Sequence, residues 1–313
     1  MVAPAVGHDG TDHRSTDAVR ADYLRPGDRV FDHGIGVFVP PRGETVWGEL
    51  KFEDGTSQTL QVETTLDGAV RIYQFGDELA DRSALLASDE ALAASAQAVG
   101  PETAGVDATS ASSLAECNDR ANNLYSWRTP KYQWRYASGT TPSKFRNRSH
   151  GQRAVINSIK RAVQNVTGED NVCSRGDRIS ATKGYLGTTS RRPGVTSNGY
   201  CSGKADGRSV IGFGDLPSRS IAVACVRTSS GRTYDGDIKI SWHKAWETRR
   251  SWCSGRELMI EAGMTHEFGH IFGLAHVSSS SSWSLTMQPI VNYCTMGHAT
   301  LGLGDMLGLE RKY

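Results

Sequence analysis

The chain has 313 residues, 38% of them hydrophobic and 22% charged, with six cysteines and a net charge of +1. That balance fits one large or two ordinary globular domains and excludes a disordered or collagen-like chain. No apolar run reaches the roughly 18 residues needed to cross a bilayer, so no membrane partner is expected.

The near-zero charge hides a division. Residues 1–116 hold 20 acidic and 8 basic side chains, a charge of −12, whereas residues 117–313 hold 14 and 27, a charge of +13. Segments of opposite sign attract, so the nearest partner for either half is the other half. Nucleic acid is not expected, because the basic residues are dispersed and no nucleic-acid-binding motif accompanies them.

In chain order, Met1-Val2-Ala3-Pro4 and the charged residues after it lack the apolar core of a secretory signal, and the polar residues 1–27 predict a disordered start. Residues 46–52, 60–64 and 69–73 alternate apolar with polar side chains, separated by Asp54-Gly55 and Asp67-Gly68. This predicts an antiparallel meander with one buried face, in a small acidic β-rich domain over residues 1–80. Residues 81–116 read as an Ala-rich helix over Ser83–Val99 and a small-residue linker from Gly100 to Ser113.

A third segment, residues 117–313, carries the chemistry. Tyr132–Tyr136 reads as a strand. Ser149 and Gln152 form a capping box before a helix with Val155, Ile159, Val163 and Val166 at helical spacing, closed by Gly168. Arg146, Arg148 and Arg153 read as a solvated helix face. Strand-like runs follow at Ile179–Tyr185, Ser209–Phe213, Ile221–Val226 and Ile238–Trp242. The order predicts an α+β fold, with a mixed sheet packed on helices.

After these strands comes His266-Glu267-Phe268-Gly269-His270-Ile271-Phe272-Gly273-Leu274-Ala275-His276. On a helix, His266 and His270 are four apart and share a face, so both imidazoles reach one ion. Gly273 without a Cβ turns the chain left-handed and returns His276 as third ligand. Glu267 is placed as a base rather than a ligand. With ordinary residue frequencies the five fixed positions arise by chance with a probability on the order of 10⁻⁵. Ser254 and Glu257 form a capping box ahead of the helix, with Leu258, Met259 and Ala262 on the His266 face.

The H-E-x-x-H-x-x-G-x-x-H stretch resembles the signature of the metzincin zinc endopeptidases, and its flanks are most similar to the matrixin-like branch, especially the secreted bacterial type. The resemblance covers residues 131–313. Metzincins carry a Met-containing turn beyond the third histidine. Met287 is the candidate through its Met-x-Pro, with Met296 as the alternative. Leu301–Leu309 looks like the family's C-terminal helix.

The resemblance implies a metzincin-like catalytic domain, a protein or peptide substrate, and one catalytic zinc held by His266, His270 and His276 with its fourth position open to water. Glu267 would take the water's proton and pass it to the leaving amine. The resemblance places the substrate along an edge strand formed by Asp237, Ile238, Lys239, Ile240 and Ser241. Lys239 stands where many matrixins have a ligand of a second, structural zinc, so one zinc is expected. Asp235 and Asp237 leave room for Ca²⁺. The cysteine-switch peptide of animal matrix metalloproteinases is missing.

The even cysteine count, without a C-x-x-C pair, predicts disulfides and a secreted protein whose signal is not visible in this chain. From the family resemblance the pairs expected are Cys173–Cys201, Cys253–Cys294 and Cys117–Cys225. A monomer is expected. The charge division suggests that the N-terminal segment inhibits in cis, as a propeptide cut in its linker, with an accessory domain as the alternative. The competing function is a catalytically silent zinc-containing module that uses the N-terminal β domain for recognition.

Overall fold

The structure, a computed structural model, describes residues 19–21, 23–32, 34–76, 115–146, 151–202, 205–277, 281–290 and 292–313. Of the start expected to be disordered over residues 1–27, the part before residue 19 lies outside these residues, as do the Ala-rich helix over Ser83–Val99, the linker from Gly100 to Ser113 and the Ser149 capping box. The described part of that start is instead ordered, with Val19 and Arg20 paired with Ile72 and Arg71 and with Ala21 and Leu24 buried.

The strands of the N-terminal half are β1 (Val19–Arg20), β2 (Arg29–Asp32), β3 (Ile35–Phe38), β4 (Glu44–Phe52), β5 (Ser57–Thr64) and β6 (Val70–Gly76). The second half supplies β7 (Asn123–Leu124), β8 (Lys131–Ala137), β9 (Thr182–Thr189), β10 (Ser209–Gly214), β11 (Ser220–Ser229), β12 (Arg232–Ser241), β13 (Trp246–Glu247), β14 (Leu258–Met259) and β15 (Leu274–Ala275). Its long helices are α1 (Gly151–Thr167), α2 (Ile260–Ile271) and α3 (Leu303–Glu310).

The meander of β4, β5 and β6 forms as its alternation and its two Asx-Gly turns predict, with Gly55 at φ 82° and Gly68 at φ 93°. It does not stand alone. One nine-stranded sheet runs β1-β6-β5-β4-β11-β12-β10-β8-β9, and the join between the halves is the antiparallel ladder of β4 on β11. In that ladder Trp47 faces Val226, Glu49 faces Ala224 and Lys51 faces Ala222. On the far side of β11 lie β12, antiparallel to it, and then β10, β8 and β9, all parallel.

Two cores lie on opposite faces of this sheet. One gathers Trp134, Tyr136, Ile159, Val163, Phe268 and Ile271 between the strands and helices α1 and α2. The other gathers Ile35, Val37, Val46, Leu50, Leu60 and Val223. Strand β4 therefore has two buried faces rather than one, with Trp47 in the first core and Val46 and Leu50 in the second. α1 buries Val155, Ile159, Ala162, Val163 and Val166, as its spacing predicts. It is fixed to α2 where Asn165 Nδ2 donates to Thr265 Oγ1 at 3.2 Å.

Four expectations need correction. Asp237, Ile238, Lys239, Ile240 and Ser241 do not form a sheet edge. They belong to β12, which is paired on both sides and buried. The helix that carries the histidines begins at Ile260 rather than just after Ser254, because Leu258 and Met259 pair as β14 with β13. Glu257 accepts from the Ser254 amide at 3.1 Å, but this closes a turn before the helix. The strand expected from Ile179 begins at Thr182.

The fourth correction concerns the disulfides. Cys253 pairs with Cys294 as expected, but the other bonds are Cys117–Cys173 and Cys201–Cys225. The fold decides this: the Cys201 amide bonds to the Gly36 carbonyl at 2.9 Å, which holds Cys201 against the middle of β11, with its Cα 5.7 Å from that of Cys225. The pairs are separated by 56, 24 and 41 residues. By the loop-closure estimate each is worth about 3–4 kcal/mol.

Peptide mapping without reduction is expected to recover Cys201–Cys225 and Cys117–Cys173 peptides. Recovery of a Cys173–Cys201 peptide as the main product contradicts the fold around β11.

Candidate metal centre

The helical pitch of α2 sets His266 and His270 on one face, both buried. The helix stops where the sequence predicts. Gly273 has φ 88°, and a Cβ there would stand 2.6 Å from the Trp127 carbonyl, so both its dihedral and its surroundings require glycine. The turned chain becomes β15, pairs with β7, and presents His276, whose carbonyl accepts from Asn123 Nδ2 at 2.6 Å.

The three Nε2 atoms of His266, His270 and His276 lie 3.1 Å from one another. Their orientation is fixed from behind. His266 Nδ1 lies 2.7 Å from the Thr286 carbonyl, His270 Nδ1 lies 2.9 Å from the Leu274 carbonyl, and His276 Nδ1 lies 3.3 Å from Ser57 Oγ. A carbonyl only accepts, so the first two rings carry their proton on Nδ1 and turn bare Nε2 lone pairs inward. Burial first, then the charge of Lys51, keeps His266 well below the ordinary histidine range, and burial likewise lowers His270. Both rings are therefore neutral, as metal ligands must be.

A fourth group joins them. Glu49 of β4 is fully buried, with Oε2 2.6 Å from His270 Nε2 and Oε1 3.0 Å from His276 Nε2. Neither oxygen finds a hydrogen-bond donor. Lone pairs and a buried carboxylate converging on one point repel one another unless a cation lies between them. Tetrahedral zinc, with ligands at 2.0–2.1 Å, separates its donor atoms by about 3.3 Å, so the set fits that ion. Among the described residues, Glu49, His266, His270 and His276 are the group gathered at ligand spacing. Asp237 is instead engaged by the Val210 and Gly194 amides at 2.7 and 2.8 Å, and Asp235 accepts from the Asp206 amide at 3.2 Å.

Glu267 is buried beside the centre. Burial first, then the Glu49 carboxylate, raises its pKa to about 8, and its Oε2 has no hydrogen-bond partner. Next to it opens a small cavity of about 30 Å³ with largely apolar walls, among them Ile221, Trp246, Leu258 and Met264. Lys51 of β4 also lines this cavity.

Beneath the helix, Met287 packs so closely on Gly269 that a Cβ there would collide with its Sδ. Met296, by contrast, is only partly buried. The Met287 turn is clamped by Asp305 of α3, which accepts from the amides of Thr286 at 2.9 Å, Met287 at 3.2 Å and Gly302 at 3.0 Å. Burial raises the Asp305 pKa to about 6. An aromatic wall closes the other side. Trp47 lies 5.2 Å from the His270 ring, Tyr125 stacks on Trp127 at 4.4 Å, and Trp127 Nε1 donates to the His270 carbonyl at 3.2 Å.

The structure thus brings His266, Glu267, His270, His276 and Met287 together and leaves the 237–241 stretch in the interior of the sheet, with β11 between it and β4. Sequence reasoning missed Glu49 and Lys51, which sit on the face of β4 assigned to solvent. The available signal was Trp47, a large aromatic on that same face.

Residues 214–313 match the Peptidase_M10 family model, Matrixin. No curated protein matches the chain. The match covers about a third of the chain, from β11 through the three histidines and Met287 to α3. Together with the four-residue group, it supports a zinc metallopeptidase related to the matrixins.

Because the Met287 sulfur fills the space under α2, Gly269→Ala is expected to cost about 1–3 kcal/mol through overpacking, lowering Tm by about 2–5 °C and weakening metal binding. Calorimetry with metal analysis checks this. An unchanged Tm with full metal content contradicts the close packing.

Proposed function

We propose that the chain is a secreted zinc endopeptidase of the matrixin-like branch, with its catalytic part in residues 117–313. The observation that carries this reading is the convergence of three histidine Nε2 atoms 3.1 Å apart, next to a buried carboxylate that is not needed as a ligand. Zinc, when bound, supplies a Lewis acid that lowers the pKa of a water towards about 7 and polarises a carbonyl.

The protein's own residues do the rest. The carbonyls of Thr286 and Leu274 hold the rings of His266 and His270 in the liganding tautomer. Glu267 accepts the proton of the attacking water and delivers it to the leaving amine. Its raised affinity for a proton, a consequence of burial, suits that exchange. The Met287 turn supports the floor of the site, and Asp305 fixes that turn. A peptide would pair with β11 rather than β12, and the cavity beside Glu267 would take one of its apolar side chains. The three disulfides support an oxidising compartment and so an extracellular protein.

Glu267→Gln is expected to keep zinc and lose at least about a thousandfold in peptide hydrolysis, since it removes the proton carrier and no ligand. His270→Ala is expected to lose the metal. Elemental analysis and a quenched-peptide assay read the two effects. Substantial hydrolysis by the zinc-loaded Glu267 variant would eliminate the proposed base and favour a different catalytic group.

A further inference from the structure

We propose that β4 is a built-in substrate mimic that makes the full chain latent: it takes the substrate's place on β11 and supplies Glu49 as the metal's fourth ligand. This inference rests on the metallopeptidase reading and deepens it. A catalytic metal needs a fourth position for water. Here that position is held by a carboxylate from a strand 217 residues before the first histidine, the separation between positions 49 and 266.

Four observations support it independently of one another. The backbone of β4 is paired with β11 over its whole length, from Glu44 against Ser229 to Phe52 against Ser220, so the sheet edge beside the centre is filled. Side chains alternate along it so that Trp47, Glu49 and Lys51 all face the site. Trp47 lies against His270, Glu49 meets the Nε2 atoms of His270 and His276, and Lys51 lines the cavity beside Glu267. An extended peptide lying across a cleft would present its side chains in the same alternation.

The third observation is electrostatic. Acidic groups of the N-terminal half meet partners of the second half around β4. Glu53 pairs with Lys244 at 2.7 Å, Asp54 pairs with Arg219, and Glu44 accepts from the Tyr234 hydroxyl at 2.7 Å. These contacts are the local form of the −12 and +13 division and lie at the partly solvated rim of the ladder, so they guide docking more than they hold it. The fourth is covalent. All six cysteines lie at or beyond Cys117 and pair among themselves, so no disulfide ties β4 to the catalytic half. The plug is held without covalent cross-links and is able to leave.

The test uses the full chain loaded with cobalt(II), whose visible spectrum reports its ligands. Azide is the probe for an open coordination position. The wild-type spectrum is expected to ignore millimolar azide. Glu49→Ala and the isosteric Glu49→Gln are each expected to bind azide saturably and to raise turnover of a short quenched peptide at least about tenfold, a change of about 1.4 kcal/mol. Glu63→Gln, which removes a charge on β5 whose partners Arg71 and Tyr73 lie in the same half of the chain, is expected to behave as wild type in both measurements. An azide response in the wild type equal to that of the variants, or one in the Glu63 variant, overturns Glu49 as the ligand. An opened metal with unchanged turnover overturns the latency. A wild-type chain that takes up no cobalt at all removes the metallopeptidase reading itself, and this one with it.

Discussion

Three imidazoles and a carboxylate crowded within 4.8 Å in a buried site form an arrangement that is unstable without a cation. Much of the surrounding structure serves to hold that arrangement. The pitch of α2 delivers two rings, the left-handed Gly273 delivers the third, and backbone carbonyls lock the protonation of the first two. The Met287 turn fills the space under Gly269, and Asp305 reaches from the last helix to hold that turn through three amides. Residues from position 49 to position 305 therefore converge on one point, and the large sheet is the frame that aligns them.

That sheet also explains how the two halves of the chain are joined. β11 presents a mostly apolar run, Ile221 to Val226, and both of its edges are paired. Removing β4 would expose a hydrogen-bonding edge directly beside Glu267 and its cavity, where a peptide needs to lie. On the latency proposed above, cleft and inhibitor would be the same ladder with different occupants. The opposite charges of the two halves bring them together, while Trp47, Val46 and Leu50 supply the burial that keeps them together.

The sequence made the metal ligands legible because helical periodicity is local. His266, His270, Gly273 and His276 can be placed from their spacing alone, and the family resemblance then points to Met287. The alternation and Asx-Gly turns made β4, β5 and β6 legible for the same reason. What stayed hidden was long-range. That β12 is interior depends on β11 and β10 flanking it, and the partners of Cys201 and Cys117 depend on which loops the sheet brings together. Glu49 was the largest omission, because a charged residue on an alternating strand reads as solvent-facing when its second neighbour is unknown. The helix start moved from Ser254 to Ile260 because β14 pairs with a strand that sequence periodicity could not place beside it.

The most direct measurement is an anomalous difference map at the zinc edge from crystals of the full-length chain. The account predicts one strong peak equidistant from the Nε2 atoms of His266, His270 and His276 and in contact with the Glu49 carboxylate. A peak elsewhere, or a zinc at the three histidines with a water in place of Glu49 and β4 lifted from β11, would contradict it.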